Sequence, residues 1–479
     1  MAIAWDCEHL GWTENFLRHH VSSLVTGIVG LVLEDTAQDF VALGITAGDT
    51  VENMSSGAYE KTTVANVVDA THITLTGAIA LAPGSSYHIC GTQWVDITPA
   101  AMGVHEFIIQ ALYVRTAADT VAGWCLTGWD GTAPIGTQGR IFYTPDLLTS
   151  SPAWTLCYTL AQVQAHDPLL AAARWLGMAA NVASPNYLII SFEPRSDDAP
   201  FGCIYTNNAG GIWNYSTFPI GHHAGFRAPM FGIVINQTTG TIYTPRFYQR
   251  DIGNQARLCI SVDGGANFVH DGSILADWLD DTRRFWMHIP YGGTDIFAIP
   301  TNSDGGAYPE SPLKYDGAWS GLPVPIGYDP EPIKSGMVGW YGSPSDLLTM
   351  FHLTGVGGAV DWHLHRSPDG GASWANIGDA DPLFEGTLGS WSGCIAVPTY
   401  VWENNLLEVF WVGLCASGFG GPHTQCRIRY TDDNGAHWFN KMGNWYITFG
   451  HWQGSQGSSG SGGTVGVIPL PRVGANAYA

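Results

Sequence analysis

The chain has 479 residues and a formal net charge of −22, with 19 Lys and Arg against 41 Asp and Glu. No run of basic residues interrupts that acidic balance, which argues against a phosphate-binding face and so against nucleic acid as a partner. Charged residues make up only 13% of the chain while Gly numbers 60 and Trp 20, a profile that suits short strands, tight turns and aromatic packing.

Taken in chain order, residues 1–22 read as an N-terminal arm. They lack the basic start and apolar core of a secretory signal, and no apolar run anywhere approaches the roughly 18 residues of a membrane span. The expectation is synthesis in a cytoplasm without export and without membrane insertion. Nine Cys with no two closer than 11 positions give neither a zinc spacing nor a disulfide framework, so reduced thiols are expected, with no cofactor and no metal. Residues 23–92 alternate strand-like runs with turns, among them GIVGLVLEDT, TTVANVVDATHITLTG and SSYHIC. They read as a separate small β-domain.

A repeated string dominates residues 93–450. The pattern Ser/Thr-x-Asp/Asn-x-Gly-x-x-aromatic occurs as TNNAGGIW from 206, SVDGGANF from 261, SPDGGASW from 367 and TDDNGAHW from 431, with degenerate versions at TPDLLTSSPAW from 144 and KYDGAW from 314. The starts lie 62, 55, 53, 53 and 64 residues apart, which marks six units of similar length. Around each full string stand three short β-rich runs before it and one after it, for example RWLGMAA, YLIISF, FGCIYT and IWNYSTF. Each unit therefore reads as a four-stranded meander with the string in its third turn. Gly at the fifth position supplies a backbone tolerant of positive φ, the carboxylate accepts from turn amides, and the aromatic ring opens the outer strand.

QWVDIT (93–98) reads as a fourth strand without its string, and TVGVIPLP (464–471) as a lone first strand. Joining such ends in one sheet removes exposed edges. Residues 451–479 comprise the flexible GSQGSSGSGG linker and this closing strand.

The strings resemble the Asp-box (BNR) repeats of sialidase-like β-propellers. The resemblance implies an all-β fold, a six- or seven-bladed β-propeller following the small N-terminal β-domain, with a structural role for Thr206, Asn208, Gly210 and Trp213; Ser261, Asp263, Gly265 and Phe268; Ser367, Asp369, Gly371 and Trp374; and Thr431, Asp433, Gly435 and Trp438. The N-terminal module, through D-F-x-x-x-G-I-x-x-G-D-x-V followed by V-x-D-A-T-x-I-T-L, resembles small β-modules in virion proteins of tailed bacteriophages. That implies a non-enzymatic virion component, a tail, fibre or decoration protein, acting as a homo-oligomer among other virion proteins and binding host glycan or neighbouring subunits.

The alternative is a sialidase-like glycoside hydrolase acting on host surface polysaccharide. A sialidase site resembles three Arg on a substrate carboxylate with a Tyr–Glu nucleophile pair, and Arg227, Arg246, Arg250 and Asp251 invite that comparison. Ala228 departs from the family's Arg-Ile-Pro motif, so no catalytic residue is assigned. Arg174, Arg227 and Arg284 recur at intervals of 53 and 57 ahead of the innermost strand, with Lys334 continuing the series. Such a ring of cations either holds an anion or pairs with carboxylates across blades. Trp129, Tyr248, Trp340 and Trp452 are the rings expected to stack on sugar. His363 and His365, His222–His223 and the oxygen-rich 301–310 loop read as ordinary structure.

Overall fold

The computed structural model describes the chain apart from residues 1, 6–9, 14–19, 54, 56–59, 92–93, 104–105, 118–119, 130–138, 172, 182–183, 194–200, 220–232, 249–254, 278–282, 291–292, 303–311, 326–327, 330–337, 341–342, 354–360, 380–394, 404–405, 416–424, 432–438, 441–465 and 470–479. Nearly all of the regular secondary structure described is antiparallel sheet. The chain opens with β1 (Ala2–Trp5) and β2 (Leu10–Thr13). A seven-stranded module follows: β3 (His20–Leu24), β4 (Gly27–Val29), β5 (Val32–Glu34), β6 (Thr50–Asn53), β7 (Lys61–Val67), β8 (His72–Leu75) and β9 (Ser86–Cys90), in the order β3-β9-β6-β7-β8-β5-β4. Then comes β10 (Val95–Asp96).

Six sheets then succeed one another as meanders. The first holds β11 (Glu106–Ala117), β12 (Thr120–Trp129), β13 (Arg140–Thr144) and β14 (Thr155–Thr159), and the short helix α1 (Leu160–Gln164) follows it. The second holds β15 (Arg174–Asn181), β16 (Ser184–Glu193), β17 (Gly202–Thr206) and β18 (Asn214–Thr217). The third holds β19 (Val234–Ile235), β20 (Ile242–Tyr248), β21 (Gln255–Ser261) and β22 (Val269–Asp277), and the fourth β23 (Arg283–His288), β24 (Ile296–Asn302), β25 (Leu313–Tyr315) and β26 (Trp319–Gly321). In the fifth, β27 (Tyr328–Asp329) and β28 (Val338–Trp340) both pair with β29 (Ser343–Leu353), followed by β30 (Asp361–Ser367) and β31 (Ala375–Asp379). The sixth holds β32 (Ile395–Glu403), β33 (Leu406–Cys415), β34 (Gln425–Thr431) and β35 (Phe439–Asn440); β36 (Gly466–Pro469) comes last.

The two ends of the chain meet in one further sheet, ordered β10-β2-β1-β36. Ile3 stands between Ile468 of β36 and Trp12 of β2 in register, and Trp12 is in turn level with Val95. The fourth-strand and first-strand readings of 93–98 and 464–471 thus fall in the same sheet. The arm reading of 1–22 does not fit the pairing: residues 2–5 and 10–13 are its second and third strands. They pair with each other as a hairpin, and their outer partners, β36 and β10, lie some 460 and 80 residues away in sequence.

Apolar clusters lie between sheets as well as within them. Leu10 and Ile97 of the closing sheet pack with Ile108, Tyr113 and Phe142 of the next. Trp124 and Ile141 meet Trp175, Ile190 and Phe192; Ile189 and Cys203 meet Ile235, Cys259 and Phe268; Leu258 meets Met287 and Ile296; Phe297 and Leu322 meet Leu347 and Trp374. β32 lies against β28 and β29, and β36 against β32 and β33. The sheets therefore follow one another around a propeller-like ring. Each fully buried Phe or Leu across these seams stabilises by about 1.5–3 kcal/mol.

The corner strings sit where each third strand ends and the fourth begins. Thr206, Ser261 and Ser367 are the last residues of β17, β21 and β30, while Trp213, Phe268 and Trp374 immediately precede β18, β22 and β31. All three corners carry one bonding scheme. The Ser367 hydroxyl accepts from Gly371 N–H at 2.7 Å and donates to Asp369 Oδ1 at 2.8 Å, which accepts Ser373 N–H at 2.9 Å. Ser261 with Gly265, Asp263 and Asn267, and Thr206 with Gly210, Asn208 and Ile212, repeat it bond for bond. Only a hydroxyl both donates and accepts in this way. The Ser373 hydroxyl donated to Asp369 holds that carboxyl down to about 2, and the Asn267 amide likewise lowers Asp263.

The same corners join neighbouring sheets. Gly210, Gly265 and Gly371 have φ of +85°, +91° and +88°, and a Cβ on them would meet Cys157 Sγ at 2.9 Å, Ile189 Cδ1 at 2.9 Å and Leu322 Cδ1 at 2.5 Å in the preceding sheet or directly after it. The Trp374 indole donates to Pro323 O at 3.0 Å just beyond β26, and Trp154, in the degenerate string, to Ile97 O at 2.7 Å just beyond β10. Phe268 meets Phe218 edge-on at 4.6 Å. In the fourth string Thr431 ends β34, and Asp433, Gly435 and Trp438 lie outside the described residues.

Candidate functional site

The antiparallel meander gives the ring two distinct ends. Corner strings occupy the end where third strands finish. The opposite end gathers the starts of first and third strands and the finish of second strands, and most of the sequence's ligand candidates map there by backbone position. Arg174 opens β15 in register with Glu193, the last residue of β16. Arg284 is the second residue of β23, level with Thr301. Trp129 closes β12 opposite Glu106, and Tyr248 closes β20 opposite Gln255. Arg246, two residues before Tyr248, is in register with Arg257 on β21.

Trp340 departs from this set. It closes β28 in the hairpin to β29, level with Ser343, and so stands at the corner end. A lone aromatic in a turn carries no signal of which end of a meander it occupies, since first-to-second and second-to-third turns look alike in sequence. Arg227, Arg250, Asp251, Lys334, Trp452, the His222–His223 pair and the linker at 454–463 lie outside the described residues, as do residues 303–310.

One group at the first-strand end went unnoticed in the sequence. Glu106, 8% exposed and first in β11, accepts Arg140 Nε at 2.7 Å, Thr127 Oγ1 at 2.9 Å and Gly103 N–H at 2.8 Å, and forms an ion pair with Arg140 Nη2. Arg140, first in β13, also donates to Ala101 O at 2.6 Å, and its guanidinium stands 5.1 Å from the centre of the Phe142 ring. The Glu106 carboxylate raises the Arg140 pKa further. With four donors on two oxygens, Glu106 clamps the starts of the first and third strands together. The available signal was positional: an acid and a base each opening a strand of one meander.

His365 is buried on β30 in register with Thr349, and no group of three His, Cys, Asp or Glu side chains fit to hold a metal occurs among the described residues. Cys125 and Cys203 are buried free thiols whose pKa burial pushes up. An open cleft of about 460 Å³ at the rim, between Tyr215–Pro219 and Ala266–Phe268, is crossed by the Ser216 hydroxyl bonding Ala266 O at 3.0 Å.

No protein-family model matches the chain, and no curated protein does. Among solved structures it is similar to an ancestral GH74 enzyme, at 12% identity over 86% of this chain and 48% of that one with a TM-score of 0.44. It is also similar to the Penicillium chrysogenum alpha-L-arabinanase complexed with arabinobiose, at 14% identity over 68% and 93% with a TM-score of 0.38. A third is a Trypanosoma rangeli sialidase mutant displaying trans-sialidase activity, at 11% identity over 65% and 52% with a TM-score of 0.36. The chain spans about half the length of the GH74 enzyme. None of these bears on the virion setting expected from the N-terminal module.

Proposed function

We propose that this chain is a seven-bladed, sialidase-like β-propeller, its seventh blade being the sheet shared by the two chain ends, and that it holds an acidic saccharide at the first-strand mouth. The observation that carries the reading is the gathering of Trp129, Arg174, Arg246, Tyr248 and Arg284 at one end of the ring. Arg246 and Arg257 add weight. Like charges level on adjacent strands oppose pairing unless an anion sits with them, and a guanidinium pairs with a carboxylate through two parallel hydrogen bonds. Trp129 and Tyr248, at the same end by backbone position, are residue types that suit the apolar face of a pyranose.

Glu106 has all its accepting positions taken by the clamp, so it serves the scaffold rather than proton transfer. Binding is therefore the part of the reading that the mouth supports directly. Glycan-array binding with parallel hydrolysis assays on acidic oligosaccharides tests it. The expected result is binding that falls at least tenfold in Arg174→Ala and Arg257→Ala with unfolding unchanged. Turnover would make the chain a glycoside hydrolase, the sequence's alternative reading; indifference of every glycan to these variants would overturn the proposal.

A further inference from the structure

The closing sheet is the one sheet of the ring whose third-to-fourth-strand turn is not a short corner. Between β2 and β10 the chain instead makes the whole module. The residues flanking that excursion repeat the corner's two ends. Thr13 is the last residue of β2, as Thr206, Ser261, Ser367 and Thr431 are last in their third strands. Trp94, buried at 6% exposure, immediately precedes β10, as Trp213, Phe268 and Trp374 immediately precede their fourth strands. By residue type and backbone position, Thr13 and Trp94 match the two ends of a corner string.

The module has the makings of an independent unit. Among the described residues, its core of Val21, Leu33, Phe40, Val51, Ile73, Tyr87, Ile89 and neighbours draws on no residue of the ring. The Tyr87 hydroxyl donates to the buried Asp35 carboxylate at 2.7 Å within that core. On β6 and β9 the opposite face carries Thr50, Glu52 and His88, polar though buried, and β9 lies against β35 of the ring.

We infer that the seventh corner is an Asp box split by a guest domain: Thr13 and Trp94 belong to the ring, and residues 14–93 are carried on its corner end, away from the first-strand mouth. Such a placement lets the module engage a partner while the mouth stays open. The clause about the mouth rests on the proposed saccharide site; the split box does not.

The test restores the corner. Residues 14–93 are replaced by the six that fill an intact box, Pro368 to Ser373, so that Thr13 and Trp94 flank Pro-Asp-Gly-Gly-Ala-Ser. The expected protein folds with one cooperative transition and binds acidic glycan within about twofold of the full chain. A grafted chain that does not fold overturns the inference that a box underlies this corner. Two full-length variants read it independently by thermal unfolding followed with amide exchange on both units. Trp94→Ala is expected to weaken protection in β2 and β10 and leave β6 and β9 unchanged, while Val51→Ala does the reverse; loss of module protection in Trp94→Ala overturns it. A graft that folds but loses glycan binding leaves the split box standing and counts against the mouth assignment alone.

Discussion

The two ends of the ring are built by different means. At the corner end a string of eight residues closes the turn in three of the sheets, and the same four atoms meet in the Thr206, Ser261 and Ser367 corners. At the mouth, Glu106 reaches Arg140, 34 residues on, and Thr127 on the strand between them. Local chemistry repeated along the chain fixes one end, whereas the other exists only once strands distant in sequence have paired. The lesson is that a repeat reveals what holds such a ring together at one end, and says nothing of contacts built between distant strands at the other.

The largest effect is expected at the corner glycines. In Gly371→Ala the new Cβ would lie 2.5 Å from Leu322 Cδ1 at a φ of +88°, so left-handed strain and overpacking add to about 3 kcal/mol. Gly370→Ala, at φ +70° with nothing within 4 Å, is expected to lose only about 1 kcal/mol. Urea unfolding of the pair separates backbone conformation from contact with the preceding sheet. Equal losses would mean that the corner does not join the sheets.

At the mouth, Glu106→Gln breaks the ion pair while keeping the shape. Leaving Arg140 half-buried without its anion is expected to lower stability by about 2 kcal/mol, measured as a fall in the urea midpoint with unchanged slope. Double-mutant analysis with Arg140→Met should show the two losses to be non-additive. Additive losses would dissolve the clamp.

How much of this was legible follows from the same contrast. The Ser-x-Asp-x-Gly corners stand out because their partners lie within six residues, so a turn's whole hydrogen bonding is written in one string. Arg174 and Arg284 could be placed at the starts of first strands from their spacing alone. The place of the strand at Ala2–Trp5 in the closing sheet could not, because its other partner is the distant Gly466–Pro469, nor could the Arg246–Arg257 register, which depends on the exact pairing of β20 with β21. Nor could the position of Trp340 at the corner end, apart from Trp129 and Tyr248. Thr13 and Trp94 were hidden by the 80 residues between them, although each has the residue type its position in the corner calls for.

The corner carboxylates give the fold a pH signature. Asp369 has its pKa lowered from 3.8 to about 2, first by the Ser373 hydroxyl, and Asp263 is lowered in the same sense by Asn267. Between those values the unfolded chain binds the proton that the folded corner refuses, so stability rises with pH there. The contribution is complete above the ordinary carboxylate range and disappears as pH falls towards 2. Thermal unfolding of Asp369→Asn against the parent between pH 5 and pH 2 is expected to converge at the acid end; a constant gap would assign the loss to geometry instead of charge.

The smallest effect distinguishes the three corners from one another. Ala209 occupies the left-handed position, φ +56°, that Gly264 and Gly370 fill at +73° and +70° in the sister strings. An L-residue there costs roughly 1–2 kcal/mol; Gly relieves that strain, and the greater freedom it gives the unfolded chain offsets part of the gain. Ala209→Gly is therefore expected to stabilise the protein by about 0.5 kcal/mol, against the usual direction of an Ala-to-Gly change. The hydrogen bond from Ala209 N–H to Asn186 O at 3.0 Å is a backbone bond and survives the substitution. Because every side-chain contact of the Thr206 corner stays as it was, a gain in the urea midpoint isolates backbone strain as the one feature in which this corner differs from its neighbours, and a loss would show that Asn208 and Gly210 have already absorbed it.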